Sequence, residues 1–401
     1  MRVAYYSPLP PSRSGIADYS MLLLPALRSR IDVAVAEPRR GKRRPAADVA
    51  LYHVGNDPEA HGWIVEELRR RPGVVVLHEI VLHHLVAGIT LARGDAAGYL
   101  AAMERDHGLA GRLLAYGVLD NRIPPLWETR PQDFPLAGEI LRLATALIVH
   151  SAYVGDRARD LGYERRVHHI PHPAWPTPSV VPAELDDEPL IGCFGHQNDS
   201  KRIPQLYTAF ARLREQRPSA RLLLVGSATP RIAAITPPEG VVRKDYVDED
   251  TLWSLMAACD VVVSLRSPTM GETSGGVIRA LSLGRPLVVS DVGWFAELPD
   301  DVALRVRPDA DEADVLAAEL ERLASDDGLR AEMGAAARRL AATEHDLERV
   351  AELYAAALEE VAGGDVVRDA VVREVAEAAA GVGLSETGEL AARLREVGLD
   401  R

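Results

Sequence analysis

Residues 264–293 read SLRSPTMGETSGGVIRALSLGRPLVVSDVG. An apolar strand ending at Leu265 runs into a polar loop. Ser274 then stands where a hydroxyl caps a helix that starts at Gly275-Gly276 and stops at Gly284. A second apolar run, Leu287-Val288-Val289, follows at once, so strand, helix and strand form one unit of a parallel sheet. Two glycines at a helix start leave backbone N–H groups open at the positive end of the helix dipole. That is an anion site, and its plain alternative is a tight turn.

Upstream of this unit lie Leu190-Ile191-Gly192-Cys193-Phe194, Leu222-Leu223-Leu224-Val225 and Val261-Val262-Val263, separated mostly by stretches of helical period. The first half repeats the pattern with Val3-Ala4-Tyr5, Val33-Ala34-Val35, Val49-Ala50-Leu51, Val74-Val75-Val76-Leu77 and Leu147-Ile148-Val149. Continuous apolar runs of this length are strands covered on both faces, so the chain reads as two doubly wound α/β domains. Residues 171–189 hold six prolines, too many for helix or central strand, and read as the linker. The expected division is 1–172, a linker over 173–189, 190–342, and C-terminal helices and tail over 343–401, with an amphipathic helix from Thr343 to about Val361. The tail reads as a packing or dimerising appendage. Ligands of open parallel sheets bind beyond the carboxyl ends of the strands, which places the site in the cleft between the domains.

A chain of 401 residues with 47% apolar and 26% charged residues has material for two folded cores. Its net charge of −13 argues against a nucleic-acid binder. Cys193 and Cys259 sit in apolar runs and match no metal or redox spacing, so they read as core residues of a reducing compartment. The start MRVAYYSPLPP opens directly on a strand, and no run approaches the ~20 apolar residues that span a bilayer. The expectation is a cytoplasmic protein whose membrane contact, if any, is peripheral. The basic run Arg39-Arg40-Gly41-Lys42-Arg43-Arg44 reads as a solvated loop, with an anionic lipid surface as the alternative.

The segment at 264–293 resembles the C-terminal signature of the retaining glycosyltransferases of family 4, closest in Leu283-Gly284-Arg285-Pro286 through Ser290-Asp291-Val292-Gly293. Phe194-Gly195-His196 with Lys201 resembles that family's phosphate-binding strand end, and Leu224-Val225-Gly226 its next strand. Ser7-Pro8 through Ser14-Gly15-Ile16 resembles its glycine-bearing first loop, while Val149-His150-Ser151 and Ile170-Pro171-His172 match further landmarks. The likeness spans most of residues 1–365. It implies the GT-B fold, two Rossmann-like domains facing across a cleft, and transfer of a sugar from a nucleotide-diphosphate donor to a glycan, lipid-linked or small-molecule acceptor. It also implies retention, by same-face displacement in which the leaving phosphate takes the acceptor's proton.

Two departures stand out. The family's paired glutamates, with seven residues between them, fall on Gly271 and Arg279, with Glu272 one place displaced. His196 stands where an arginine is common. Glu272 is inferred to hold donor-sugar hydroxyls. Lys201, then Arg202, is the side-chain candidate for the leaving phosphate, together with the amides of Gly275 and Gly276. His196, Gly226, Thr273, Ser274 and Arg279 complete the donor side. His78, one residue past an apolar strand, is placed near the donor sugar by the resemblance, and Ser14 and Gly15 are acceptor-side or phosphate-side candidates.

The bland readings are a solvated Lys201, a Glu272 that merely suits a helix start, a hydrogen-bonded His78 at a strand end, and an ordinary turn at Ser14-Gly15. No metal is expected. Asp248-Glu249-Asp250 and Asp309-Ala310-Asp311 read as caps and first-turn acids, and His78 and His83 are five apart, off the spacing of a zinc helix. The rivals are a catalytically silent nucleotide-sugar-binding or regulatory protein and a GT-B enzyme of another type, such as an epimerase.

Overall fold

The computed structural model describes residues 1–12, 14–38, 44–185 and 189–381, with side chains to residue 364. The basic run therefore lies outside the described residues except for Arg44, which pairs with Glu67 at 2.5 Å.

Each half forms a parallel six-stranded sheet. The first contains β1 (Arg2–Tyr6), β2 (Asp32–Val35), β3 (Val49–Val54), β4 (Gly73–Leu77), β5 (Ala144–Val149) and β6 (Val167–His169), in the order β2-β1-β3-β4-β5-β6. The second contains β7 (Leu190–Phe194), β8 (Arg221–Val225), β9 (Val241–Lys244), β10 (Val261–Ser264), β11 (Leu287–Ser290) and β12 (Ala303–Val306), in the order β12-β11-β10-β7-β8-β9. Strand order reverses between β1 and β3 in one sheet and between β7 and β10 in the other. A crevice opens at such a switch point, beyond the carboxyl ends of the strands.

Three strands match none of the apolar runs: β6, β9 and β12, all at sheet edges. Their side chains are largely half-buried or exposed, so they carry no continuous apolar run. Central strands such as β3, β4 and β7 are buried along their whole length.

The amphipathic helix expected from Thr343 begins instead at Leu347 and runs to Gly381, after a separate helix Asp327–Thr343. Asp346 sets the break, its carboxylate accepting from the N–H of Arg349 at 2.9 Å. The last helix folds back on the first domain. Val350, Tyr354 and Leu358 are buried against Tyr5, Leu23 and Leu27, and the Tyr19 and Tyr354 hydroxyls meet at 2.7 Å. Burying each such side chain is worth roughly 1.5–3 kcal/mol, so the start of this segment is part of the N-terminal core.

The domains touch through the 266–274 loop. The N–H groups of Ile80 and Val81 both donate to the carbonyl of Met270, at 2.9 and 3.2 Å. Gln132 Nε2 donates to the carbonyl of Thr269 at 2.9 Å. Glu297 reaches across to accept from the N–H groups of Ala152 and Tyr153, at 3.0 and 2.7 Å, capping helix Ala152–Asp160 from the other domain. Gly271 has φ +91°, and a Cβ there would sit 3.0 Å from Ile80 and Val154. A side chain at this position would be both crowded and strained, and Glu272 stands at the next one.

Cys193 and Cys259 are free and buried. Asp248 caps helix Glu249–Ala258 through the N–H of Thr251, as read. Asp311 stands at the N-cap of helix Glu312–Ser325 without a side-chain cap bond, and Asp309 accepts from the N–H of Asp311 at 3.0 Å. Among the described residues, no helix is long and apolar enough to cross a membrane.

Candidate active site

The cleft holds a cavity of about 270 Å³ at both switch points. Two helix N-termini enter it from opposite domains. Ser14 caps helix Gly15–Arg28 by accepting from the N–H of Ala17 at 3.1 Å, and nothing lies within 4 Å of where a Gly15 Cβ would be. Ser274 caps helix Gly275–Leu283 by accepting from the N–H of Val277 at 3.3 Å, and Gly284 ends that helix at φ +63°.

Glu272 is anchored in the interdomain loop. One carboxylate oxygen accepts from the N–H of Met270 at 2.7 Å and from Thr269 Oγ1 at 3.1 Å, and the other lies 2.6 Å from Arg266 Nε. Arg266 is 8% exposed, and its backbone N–H donates to Ser290 Oγ at 2.8 Å. The pair fixes the carboxylate while Glu272 still lines the cavity.

His78 follows β4 and lines the cavity, with Nε2 3.0 Å from His53 Nδ1. Nδ1 is the ring nitrogen left to meet a ligand. Burial holds His78 well below the usual histidine range, aided by His150 and His53, so it is neutral at pH 7. Beside it, burial and then the charge of Glu272 push Glu79 up to about 8. A neutral Glu79 can donate a hydrogen bond where Glu272 can only accept.

Of the residues expected from the sequence, Ser14, Gly15, His78, Glu272, Thr273, Gly275 and Arg279 line this one cavity. Lys201, Arg202, His196, Gly226, Ser274 and Gly276 do not. Lys201 is buried at the end of β7, donating from Nζ to the carbonyl of Phe194 at 2.6 Å. Burial, then Arg266, lowers it to about 8. Arg202 is tied to the buried carboxylate of Glu312, with Nε 2.9 Å from one oxygen. His196 is exposed and bonded to Ser227 Oγ at 2.9 Å. Gly226, at φ +132°, lets the loops after β7 and β8 close up, since a Cβ there would sit 2.4 Å from the carbonyl oxygen of Gly195.

The sequence reading missed Asp18, Asn56, Glu79 and Trp175 as cavity residues. Asn56 and Glu79 stand two residues past β3 and β4, so the strand-end rule that singled out His78 would have found them. Trp175 sits in the proline-rich segment and has no local signal. Among the described residues, no group of three or more His, Cys, Asp or Glu side chains is placed to hold a metal ion.

Residues 188–326 match the family model described as Glycosyl transferases group 1. No curated protein matches the chain. Among solved structures, sucrose-phosphate synthase of Thermosynechococcus elongatus aligns with a TM-score of 0.63 at 16% identity, over 91% of this chain and 100% of that one. Anabaena Alr3699/HepE, crystallised with UDP and glucose, aligns with a TM-score of 0.58 at 16% identity, over 90% and 100% of the two chains. WaaG, a glycosyltransferase involved in lipopolysaccharide biosynthesis, aligns at 0.54 and 16% identity over 89% and 99%. At such identities the likeness is one of fold, and the fold is GT-B.

Proposed function

We propose that this chain is a retaining, metal-independent glycosyltransferase of family 4, which moves a sugar from a nucleotide-diphosphate donor to a glycan, lipid-linked or small-molecule acceptor. The observation that carries the reading is the convergence of two open helix N-termini, Glu272 and His78 on one cavity at both switch points. The family match over the C-terminal half and the fold shared with HepE, which was crystallised with UDP, support it.

The donor diphosphate lies against the N–H groups opening helix Gly275–Leu283, whose dipole offsets the charge that grows as the sugar–phosphate bond breaks. The sugar lies between His78 and Glu272, which hold its hydroxyls. The acceptor attacks from the face the phosphate leaves, and its proton passes to that phosphate. The acceptor enters along the N-terminal domain.

The test is calorimetric titration with UDP, GDP, ADP and their sugars, EDTA present throughout. One nucleotide should bind without metal, at micromolar affinity or tighter, about −8 kcal/mol. Failure of every nucleotide to bind folded protein would end the donor assignment. Loss of transfer in EDTA, restored by a divalent ion, would end metal independence.

A silent nucleotide-sugar binder is the second reading, favoured by the Arg202–Glu312 pair and by Arg279 in place of a glutamate. Turnover with any acceptor excludes it.

A further inference from the structure

The cavity between the domains contains two positive helix ends, yet among the described residues lining it Arg279 is the only lysine or arginine. The neighbouring cations are committed elsewhere: Lys201 to the Phe194 carbonyl, Arg202 to Glu312, Arg266 to Glu272. Arg279 is not committed in this way. It is 9% exposed, its Nε has no hydrogen-bond partner, and its other contacts are long, 3.5 Å to the Gly275 carbonyl and 3.5 Å to the well-exposed Glu249.

Its guanidinium carbon lies over Trp175, 3.7 Å from the ring centroid, a contact that uses none of its donors. Arg279 is the fifth residue of helix Gly275–Leu283, and its guanidinium reaches back to the carbonyl of Gly275, so a cation stands by the positive end of the dipole, where an anion is the species that relieves the placement. Asp18 also lines the cavity; burial raises its carboxyl, and the charge of Arg279 works against that rise.

We infer that Arg279, seated on Trp175, is the side chain that takes the phosphates of the bound ligand, together with the N–H groups at the starts of helices Gly15–Arg28 and Gly275–Leu283. The inference rests on the transferase reading for the identity of that ligand as a nucleoside diphosphate. It gives the arginine standing in the family's glutamate position a phosphate-facing role and leaves the ribose to other groups.

The test titrates wild type, Arg279→Gln and Arg279→Lys with UDP, GDP, ADP and CDP, with the matching nucleosides, and with inorganic pyrophosphate. Circular dichroism and thermal melting establish that each variant is folded. Arg279→Gln should weaken the diphosphate and pyrophosphate about tenfold or more and the nucleoside less than about threefold, with Arg279→Lys in between. Unchanged diphosphate affinity in Arg279→Gln, or equal weakening of nucleoside and diphosphate, overturns the inference and leaves the transferase reading standing. Pyrophosphate binding that Arg279→Gln removes, with no nucleotide bound by wild type, upholds the anion site and ends the transferase reading. A wild type that binds neither overturns both.

Discussion

Glu272→Ala should reduce sugar transfer by about 100-fold or more and, independently of any substrate, destabilise the protein by about 3 kcal/mol. The first effect follows from position: Glu272 is the carboxylate the C-terminal domain presents to the cavity, fixed by Arg266, Met270 and Thr269. The second follows from what remains. Arg266 is 8% exposed and would keep its charge without a counter-ion, and the N–H of Met270 would lose its acceptor. The carbonyl of Met270 also receives the N–H groups of Ile80 and Val81, so loosening this loop loosens the contact between the domains.

Glu272→Gln separates the two effects. It keeps the shape and one acceptor oxygen, removes the charge opposite Arg266, and should recover part of the stability without recovering the rate. Initial rates with the donor identified by titration, and urea midpoints without it, measure both. A Glu272→Ala protein that transfers sugar at the wild-type rate would remove Glu272 from the site. An unchanged midpoint would mean that the pair contributes nothing to the fold.

The architecture was legible because its central strands are apolar along their length. β1, β3, β4 and β5 of one sheet and β7, β8, β10 and β11 of the other all stand out as apolar runs, and the paired βα grammar then leads to two parallel sheets. The edge strands β6, β9 and β12 escape because β6 and β9 bury no side chain fully and β12 only its two ends, and three or four residues of mixed polarity carry no period.

The site was legible where chemistry and backbone geometry coincide. Ser14-Gly15 and Ser274-Gly275 are helix starts, His78 is a strand end, and Glu272 follows the resemblance. It was illegible where tertiary pairing decides which charges stay free. Lys201, Arg202 and Arg279 are equally basic in sequence, but only folding shows that Glu312 claims Arg202 from 110 residues away while Arg279 is left against Trp175. Glu79 makes the same point from the acidic side, since burial and then the charge of Glu272, which approaches from the other domain, push it up to about 8.

Acid should unfold this protein at an unusually high pH, because behind the cavity the rings of His53, His78, His150 and His172 surround Tyr19 with centroids 4.8–5.7 Å away. His61 bonds the carbonyl of His53 at 3.0 Å, and His345 bonds that of His172 at 2.7 Å. Burial is the first cause in every case. It lowers His61, His150 and the more distant His83 to about 4, and it holds His53, His78 and His172 well below their ordinary value of 6.5.

The sign is fixed by which state binds more protons. Between pH 6.5 and about 4 the unfolded chain protonates these rings and the native one does not, so stability is intact above 6.5 and falls as pH falls through this window. Each ring contributes a slope approaching 1.4 kcal/mol per pH unit, so three alone give about 4 kcal/mol per unit. A typical total of about 5–15 kcal/mol is then exhausted within a few units. Glu79 works the other way: raised to about 8, it stabilises the fold fully below 4.5 and loses that contribution as pH rises toward 8. One carboxyl offsets only about one histidine. Urea midpoints at pH 7.5, 6.5, 5.5 and 4.5 should hold between the first two and drop steeply thereafter. A midpoint that stays flat down to pH 4.5 would mean that the histidines around Tyr19 accept protons in the native state, and that the wall behind the cavity is open to water.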